Sequence, residues 1–333
     1  MNKSSYTYKD SCLAFLFSLV AFLATSVIFS FVVSSIAASS GQTPSDVLST
    51  PLASIISSLL SELAFFVTFI LYTKANKKKY FVDSALDGKY RVGLSSIIAL
   101  FSIAIVLCSL NFTGMCNTFF ETFAKPNTSS INMPLDTIPQ LLLGIILLAV
   151  LPAICEELIF RGIILNGFFS KFKPSVAILI TSGLFALIHM SIYSTVHQFI
   201  LGIELGLILY LTGRLGYCMI FHFFNNLFVV VANFIFKDNF PLEIKSFGGK
   251  EIIISLGAFA VGALLTWIFV KFLAKRKIKN AQDDSACDEE SANNSDTQSV
   301  GLSQRVSDKT ATIMLAVSTL FCLLLWVTSS FGG

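Results

Sequence analysis

Residues 138–169 read IPQLLLGIILLAVLPAICEELIFRGIILNGFF, long enough to cross a bilayer, yet with two adjacent glutamates and an arginine in the second half. A membrane span needs about 20 apolar residues to cross a hydrocarbon core of about 30 Å. An ionisable side chain inside it costs roughly 2.5–3.5 kcal/mol on insertion scales. The length predicts a transmembrane helix, and the charges predict a functional site inside it.

The rest of the chain has the same character. Of 333 residues, 54% are hydrophobic and only 13% charged, and the mean hydropathy is +0.77. Apolar segments near residues 12–38, 52–73, 92–114, 138–169, 175–193, 196–212, 215–236, 252–273 and 311–331 predict an all-α, polytopic transmembrane helical bundle of about eight or nine helices. This excludes a soluble enzyme. The net charge of +3, with basic residues gathered at loop ends, gives no footprint for nucleic acid. The expected partners are the lipid bilayer and whatever the polar site acts on.

Positive charge predicts the topology. Lys74, Lys77, Lys78, Lys79, Lys89 and Arg91 follow the second segment, Lys171 and Lys173 the fourth, and Lys271, Lys275, Arg276, Lys277 and Lys279 close the eighth. All are cytoplasmic if the N-terminus is inside, in a multi-pass protein of the cell membrane. Lys237, Lys245 and Lys250 then fall outside, accompanied by Asp238, Glu243 and Glu251. The first segment exceeds the roughly 7–15 apolar residues of a cleaved signal peptide and reads as a retained anchor. Residues 1–137 are expected to hold N-terminal transmembrane helices, 138–236 the core that carries the polar site and 237–279 a C-terminal core helix. Residues 280–310, rich in Ser, Asn and Asp, read as a disordered cytoplasmic linker before a terminal helix at 311–333 that looks dispensable for chemistry.

On a helix Glu157 and Arg161, four residues apart, share one face in the order that favours an ion pair, while Glu156 points about 100° away. Alone, the stretch also reads as a structural ion pair near a helix end, where Pro152 bends the helix and admits water. The histidines argue for more. His189 follows Phe185 by four residues in one apolar segment, and His222 precedes Asn226 by four in another. Polar groups on three apolar helices carry separate insertion costs, and a shared water-filled cavity gives them one purpose.

A glutamate that takes a proton from water, with a histidine sharing it, makes a hydroxide-like nucleophile. A second histidine and an amide N–H aimed at a carbonyl oxygen would stabilise the oxyanion. The set suits amide hydrolysis. The chain has no GxSxG elbow and no HExxH helix, which disfavours serine and conventional zinc mechanisms. The seven cysteines form no CxxC pair, and Cys155, beside Glu156, reads as a packing residue rather than a nucleophile. Glu156, His189 and His222 could in principle ligate a divalent metal such as zinc, leaving a position for water. Glu and His chains in membranes also serve proton and ion relays, so a transporter is the main rival, and a non-catalytic bacteriocin self-immunity protein is a third reading.

In order and spacing, EExxxR (Glu156, Glu157, Arg161), FxxxH (Phe185, His189) and HxxxN (His222, Asn226) resemble the CPBP or ABI family, the CAAX-protease and bacteriocin-processing intramembrane proteases. That family includes the type II CAAX prenyl endopeptidase and lysostaphin-resistance protein A-like proteins. The resemblance covers roughly residues 138–233. It implies a glutamate- or metal-dependent endopeptidase acting on a membrane-tethered peptide or protein, CAAX-type prenylated or bacteriocin-like. It also implies that Glu156 and His189 activate water, Glu157 and Arg161 support the site, and His222 and Asn226 form the oxyanion hole. Gly202 and Gly206 read as a close helix contact, Glu204 as either a cavity or a packing residue, Asn225 as an alternative donor to Asn226, and His197 as interfacial. Glu62, an acid in the second segment, finds no partner in the pattern.

Overall fold

The computed structural model describes residues 6–87, 90–125, 133–237, 248–285 and 307–331, with side chains to residue 278 in the fourth of these stretches. Within them the fold is helical throughout. The helices are α1 (Tyr8–Ser40), α2 (Pro44–Leu48), α3 (Pro51–Ala75), α4 (Tyr80–Asp83), α5 (Val92–Phe120), α6 (Ile138–Phe168), α7 (Pro174–Ile188), α8 (Ile192–Thr212), α9 (Leu215–Phe236), α10 (Gly249–Ser285) and α11 (Asp308–Phe331). Eight are long and apolar enough to cross a membrane, and α7 is a shorter apolar helix. The protein is thus an all-α polytopic bundle. Lys89, Asp238, Glu243, Lys245 and most of the expected linker lie outside the described residues; α10 continues to Ser285 and α11 begins at Asp308.

Local chemistry sets the helix starts. Thr7 and Asp10 form a reciprocal capping box on α1, and Thr43 with Asp46 does the same for α2, satisfying backbone N–H groups that the first turn leaves open. Thr50 caps α3, with Pro51 as its first residue. Gly213, at φ +65°, ends α8 in a left-handed residue that lets the chain reverse into α9.

Helix α6 is not a uniform rod. It widens into π-helical turns at Ile146–Val150 and Phe160–Leu165, on either side of the segment that carries Glu156 and Glu157. Pro152 explains the first, since a proline ring collides with the carbonyl four residues back and donates no hydrogen bond, and a wider turn relieves both.

The close contact expected of Gly202 and Gly206 is between α8 and α7. A Cβ on Gly202 would stand 2.8 Å from the Ser182 Cβ, and one on Gly206 2.8 Å from a methyl of Ile178. Nothing larger than glycine keeps these helices in place. Basic residues that follow α3 and α6 and close α10 gather at one end of the bundle, three of them over tyrosine rings: Lys78 over Tyr6 at 5.4 Å, Lys171 over Tyr8 at 3.7 Å and Lys277 over Tyr210 at 4.3 Å.

Candidate active site

Helices α6, α7 and α9 bring the three motifs together around one core. Glu157 and Arg161 are both fully buried, 2.7 Å apart between Oε1 and Nη1, as the four-residue spacing predicts. The sequence did not reveal the third member. His222, from α9, donates Nδ1–H to the same Glu157 oxygen at 2.9 Å. Glu157 therefore ties the arginine of its own helix to a histidine 65 residues away. Arg161 also donates to the Gly202 carbonyl at 3.5 Å, reaching α8.

Phe185 lies at the centre of this set. The Arg161 guanidinium sits 4.4 Å above its ring. The rings of His189 and His222 meet it edge-on at 4.9 and 6.1 Å, and Phe160 closes a further side at 5.0 Å. The phenylalanine of FxxxH is thus the surface against which the polar groups are aligned. His189 caps α7 and bonds through Nδ1 to the Phe185 carbonyl at 2.7 Å. A carbonyl only accepts, so Nδ1 carries the proton and Nε2 is left bare.

Glu156 faces away from Glu157, as the helical period requires. Its Oε1 lies 3.9 Å from His189 Nε2 and its Oε2 3.9 Å from His222 Nε2. Both separations are too long for a direct hydrogen bond and are the kind a water bridges. The three side chains and Asn226 line a cavity of about 280 Å³. Asn225 is buried and outside the cavity lining, so Asn226 is the cavity amide. Cys155 points into the apolar core. Glu204 is resolved as a packing residue: its Oε1 accepts from the Thr266 hydroxyl of α10 at 2.6 Å.

Two polar cavity residues were given no place in the site by the sequence. Gln198 of α8 is one, and Glu62 is the other, on α3 with Ser57, Ser58 and Ser61. The usable signal was the spacing: Ser57 with Ser61, and Ser58 with Glu62, repeat every four residues and make a polar stripe on an apolar helix.

The cavity lining leads toward the start of α3 and the first half of α6. Past Glu156 in the other direction, Ile159, Phe160, Ile163, Ile164, Leu165 and Phe168 are fully buried and fill the bundle toward its lysine-rich end. The packing thus closes the cavity toward the lysine-rich end.

The metal expectation meets an obstacle in the same geometry. Among the described residues, no three His, Cys, Asp or Glu side chains stand close enough to hold a metal ion. As placed, the Glu156 carboxylate stands 3.9 Å from a ring nitrogen of each histidine.

Residues 138–228 match the family profile described as "Type II CAAX prenyl endopeptidase Rce1-like". The chain is also 27% identical over 176 residues to the Bacillus subtilis (strain 168) protein named "Putative membrane peptidase YdiL", a match covering 52% of this chain and 70% of that one. No solved structure matches significantly. The three motifs lie inside the matched segment of a chain with eight helices able to span a bilayer, and that segment is similar to the CAAX-protease family of membrane proteases.

Proposed function

We propose that the protein is an intramembrane endopeptidase that hydrolyses a membrane-associated peptide with water held between Glu156 and His189. The observation that carries this reading is the pair of 3.9 Å gaps around the Glu156 carboxylate, in a cavity that Asn226 also lines. With Nδ1 of His189 committed to Phe185, Nε2 accepts one water proton and Glu156 Oε1 the other. A water held by both protons turns its lone pairs toward the cavity.

Glu156 then takes a proton as the oxygen attacks the scissile carbonyl, and returns it to the departing amine. The oxyanion is met by the Asn226 amide and His222 Nε2. For that atom to donate, the ring must carry both protons, and Glu157 supplies the negative charge opposite Nδ1. Glu157 and Arg161 are positioning residues, since neither reaches the cavity. The substrates in this reading are peptides tethered in the bilayer, and the N-terminus is on the cytoplasmic side.

The test is cleavage of lipidated peptides by purified protein. Glu156→Gln and His189→Ala should each lower kcat by about a hundredfold or more. Full activity in Glu156→Gln would overturn the water step. Solute flux in reconstituted vesicles without peptide cleavage would favour a transporter. Activity that survives exhaustive chelation, with metal content measured, is expected; loss restored by zinc would replace free water with a metal-held one.

A further inference from the structure

The cavity has two faces, and the three family motifs account for only one. Opposite the Glu, His, His and Asn groups stands α3, which presents Ser57, Ser58, Ser61 and Glu62. Glu62 is 8% exposed, and its Oε2 is buried without a hydrogen-bond partner. A buried carboxyl oxygen left unmatched is costly, more so when charged. It lies beside a cavity, so its partner can arrive from outside.

The charge balance of the lining says what kind of partner fits. Among the described residues that line the cavity there are two carboxylic acids, Glu62 and Glu156, and no lysine or arginine. Arg161 is fully buried and held by Glu157. A free C-terminal carboxylate entering beside α3 would meet Glu62 and no guanidinium, the His222 ring standing on the Glu156 side of the cavity. An ammonium or guanidinium would find the unmatched oxygen of Glu62, with serine hydroxyls leading to it. Ser57 is exposed, Ser58 and Ser61 are half-buried and Glu62 is buried, so the stripe forms a polar path for a long cationic side chain.

We propose that Glu62 is a specificity-determining residue that receives a lysine or arginine side chain close to the scissile bond, so that the preferred substrates are basic peptides. This rests on the endopeptidase reading of the same cavity. Glu156 and His189 act on the backbone carbonyl from the α6 and α7 side, and Glu62 holds the neighbouring side chain from the α3 side. The arrangement places the substrate between α3 and α6.

Two measurements test it, and they fail separately from the reading beneath it. The first is equilibrium binding to full-length Glu156→Gln protein, which needs no turnover. The probes are N-palmitoylated peptides that differ only in lysine against N-acetyl-lysine. The lysyl peptide should bind about ten- to a hundredfold more tightly, the range of a charge-assisted hydrogen bond. Adding Glu62→Gln should bring the two affinities together. Equal affinities for the two peptides on protein that keeps Glu62 overturn the proposal even if the Glu62 variant cannot be made.

The second measurement is the ratio of kcat/KM for the two peptides. It should fall toward one in Glu62→Gln, chiefly through KM. A Glu62→Gln protein that slows both peptides equally and keeps their ratio also overturns the proposal, because Glu62 would then share a proton with Glu156 instead of binding substrate. Preferential binding of the lysyl peptide with no cleavage of any peptide would sink the endopeptidase reading and leave the cation site standing.

Discussion

Phe185 touches an arginine and two histidines with one ring, which makes an apolar residue the most economical probe of the site's alignment. Phe185→Leu keeps much of the volume but loses the cation–π contact, worth about 2 kcal/mol when desolvated. The expected result is a kcat drop of about tenfold or more with KM little changed, because substrate does not touch the ring; an equal loss in both would point to a general collapse. Glu157 gives a sharper test. Glu157→Gln leaves Arg161 buried without its carboxylate and should cost about 3–5 kcal/mol in unfolding measurements. The double replacement Glu157→Leu with Arg161→Met should recover much of that loss, since apolar pairs often match buried ion pairs in stability. It should not recover cleavage, because His222 Nδ1 still lacks its acceptor; an active double variant would show that the pair serves stability alone. The Glu157–Arg161 contact was legible from its four-residue spacing, which is local. The His222 bond was not, because helical periodicity gives the facing of a side chain but not which helix it meets.

Element-level features decide where these side chains stand. A π-helical turn inserts extra backbone before Pro152, and an α-helix without it would carry the following residues round by about 100° per residue. Pro152→Ala removes the reason for that turn. The variant should unfold no more easily than the parent yet cleave more slowly, because Glu156 and Glu157 would both rotate away from their present facings; unchanged kcat would show that other contacts fix the turn. The sequence flagged Pro152 as a bend but gave no hint of a π-turn, since no residue pattern encodes its register. Helix α11 bears on a second expectation. It was expected to be dispensable, yet Ser329 Oγ donates to the Met190 carbonyl at 2.6 Å and Trp326 Nε1 to the Thr195 hydroxyl at 2.8 Å, clasping the turn that follows His189. Met190 itself has φ +52°, a conformation unusual for a non-glycine residue that needs support from its surroundings. Trp326→Phe with Ser329→Ala should therefore lower kcat several-fold while α1, which holds the other end of α11 through Tyr8 and Thr312, keeps the helix docked.

Across the whole molecule, hydropathy made the number of helices legible and lysine placement gave an orientation, yet where the cavity opens depends on packing that neither records. The lysine-rich ends of α3, α6 and α10 gather over tyrosines at one end, and buried Phe160, Ile164, Leu165 and Phe168 separate that end from Glu156. The lining residues Ser57, Ser58, Leu147 and Leu148 lie toward the other end. By the positive-inside rule the lysines are cytoplasmic, so the cavity should be reached from the opposite face, and a peptide substrate would be cut on the outer side of the midplane. Impermeant thiol labelling of intact cells tests this in a background with the native cysteines replaced. Ser57→Cys, exposed at the cavity wall, should label from outside, and Lys79→Cys, at the lysine-rich end, only after permeabilisation. The reverse pattern would invert the membrane orientation while leaving the two ends opposed. Labelling of both positions from one side would instead break the link between lysine placement and cavity direction, because Ser57 near the start of α3 and Lys79 just beyond its end must then share a face that a single membrane-crossing helix keeps apart.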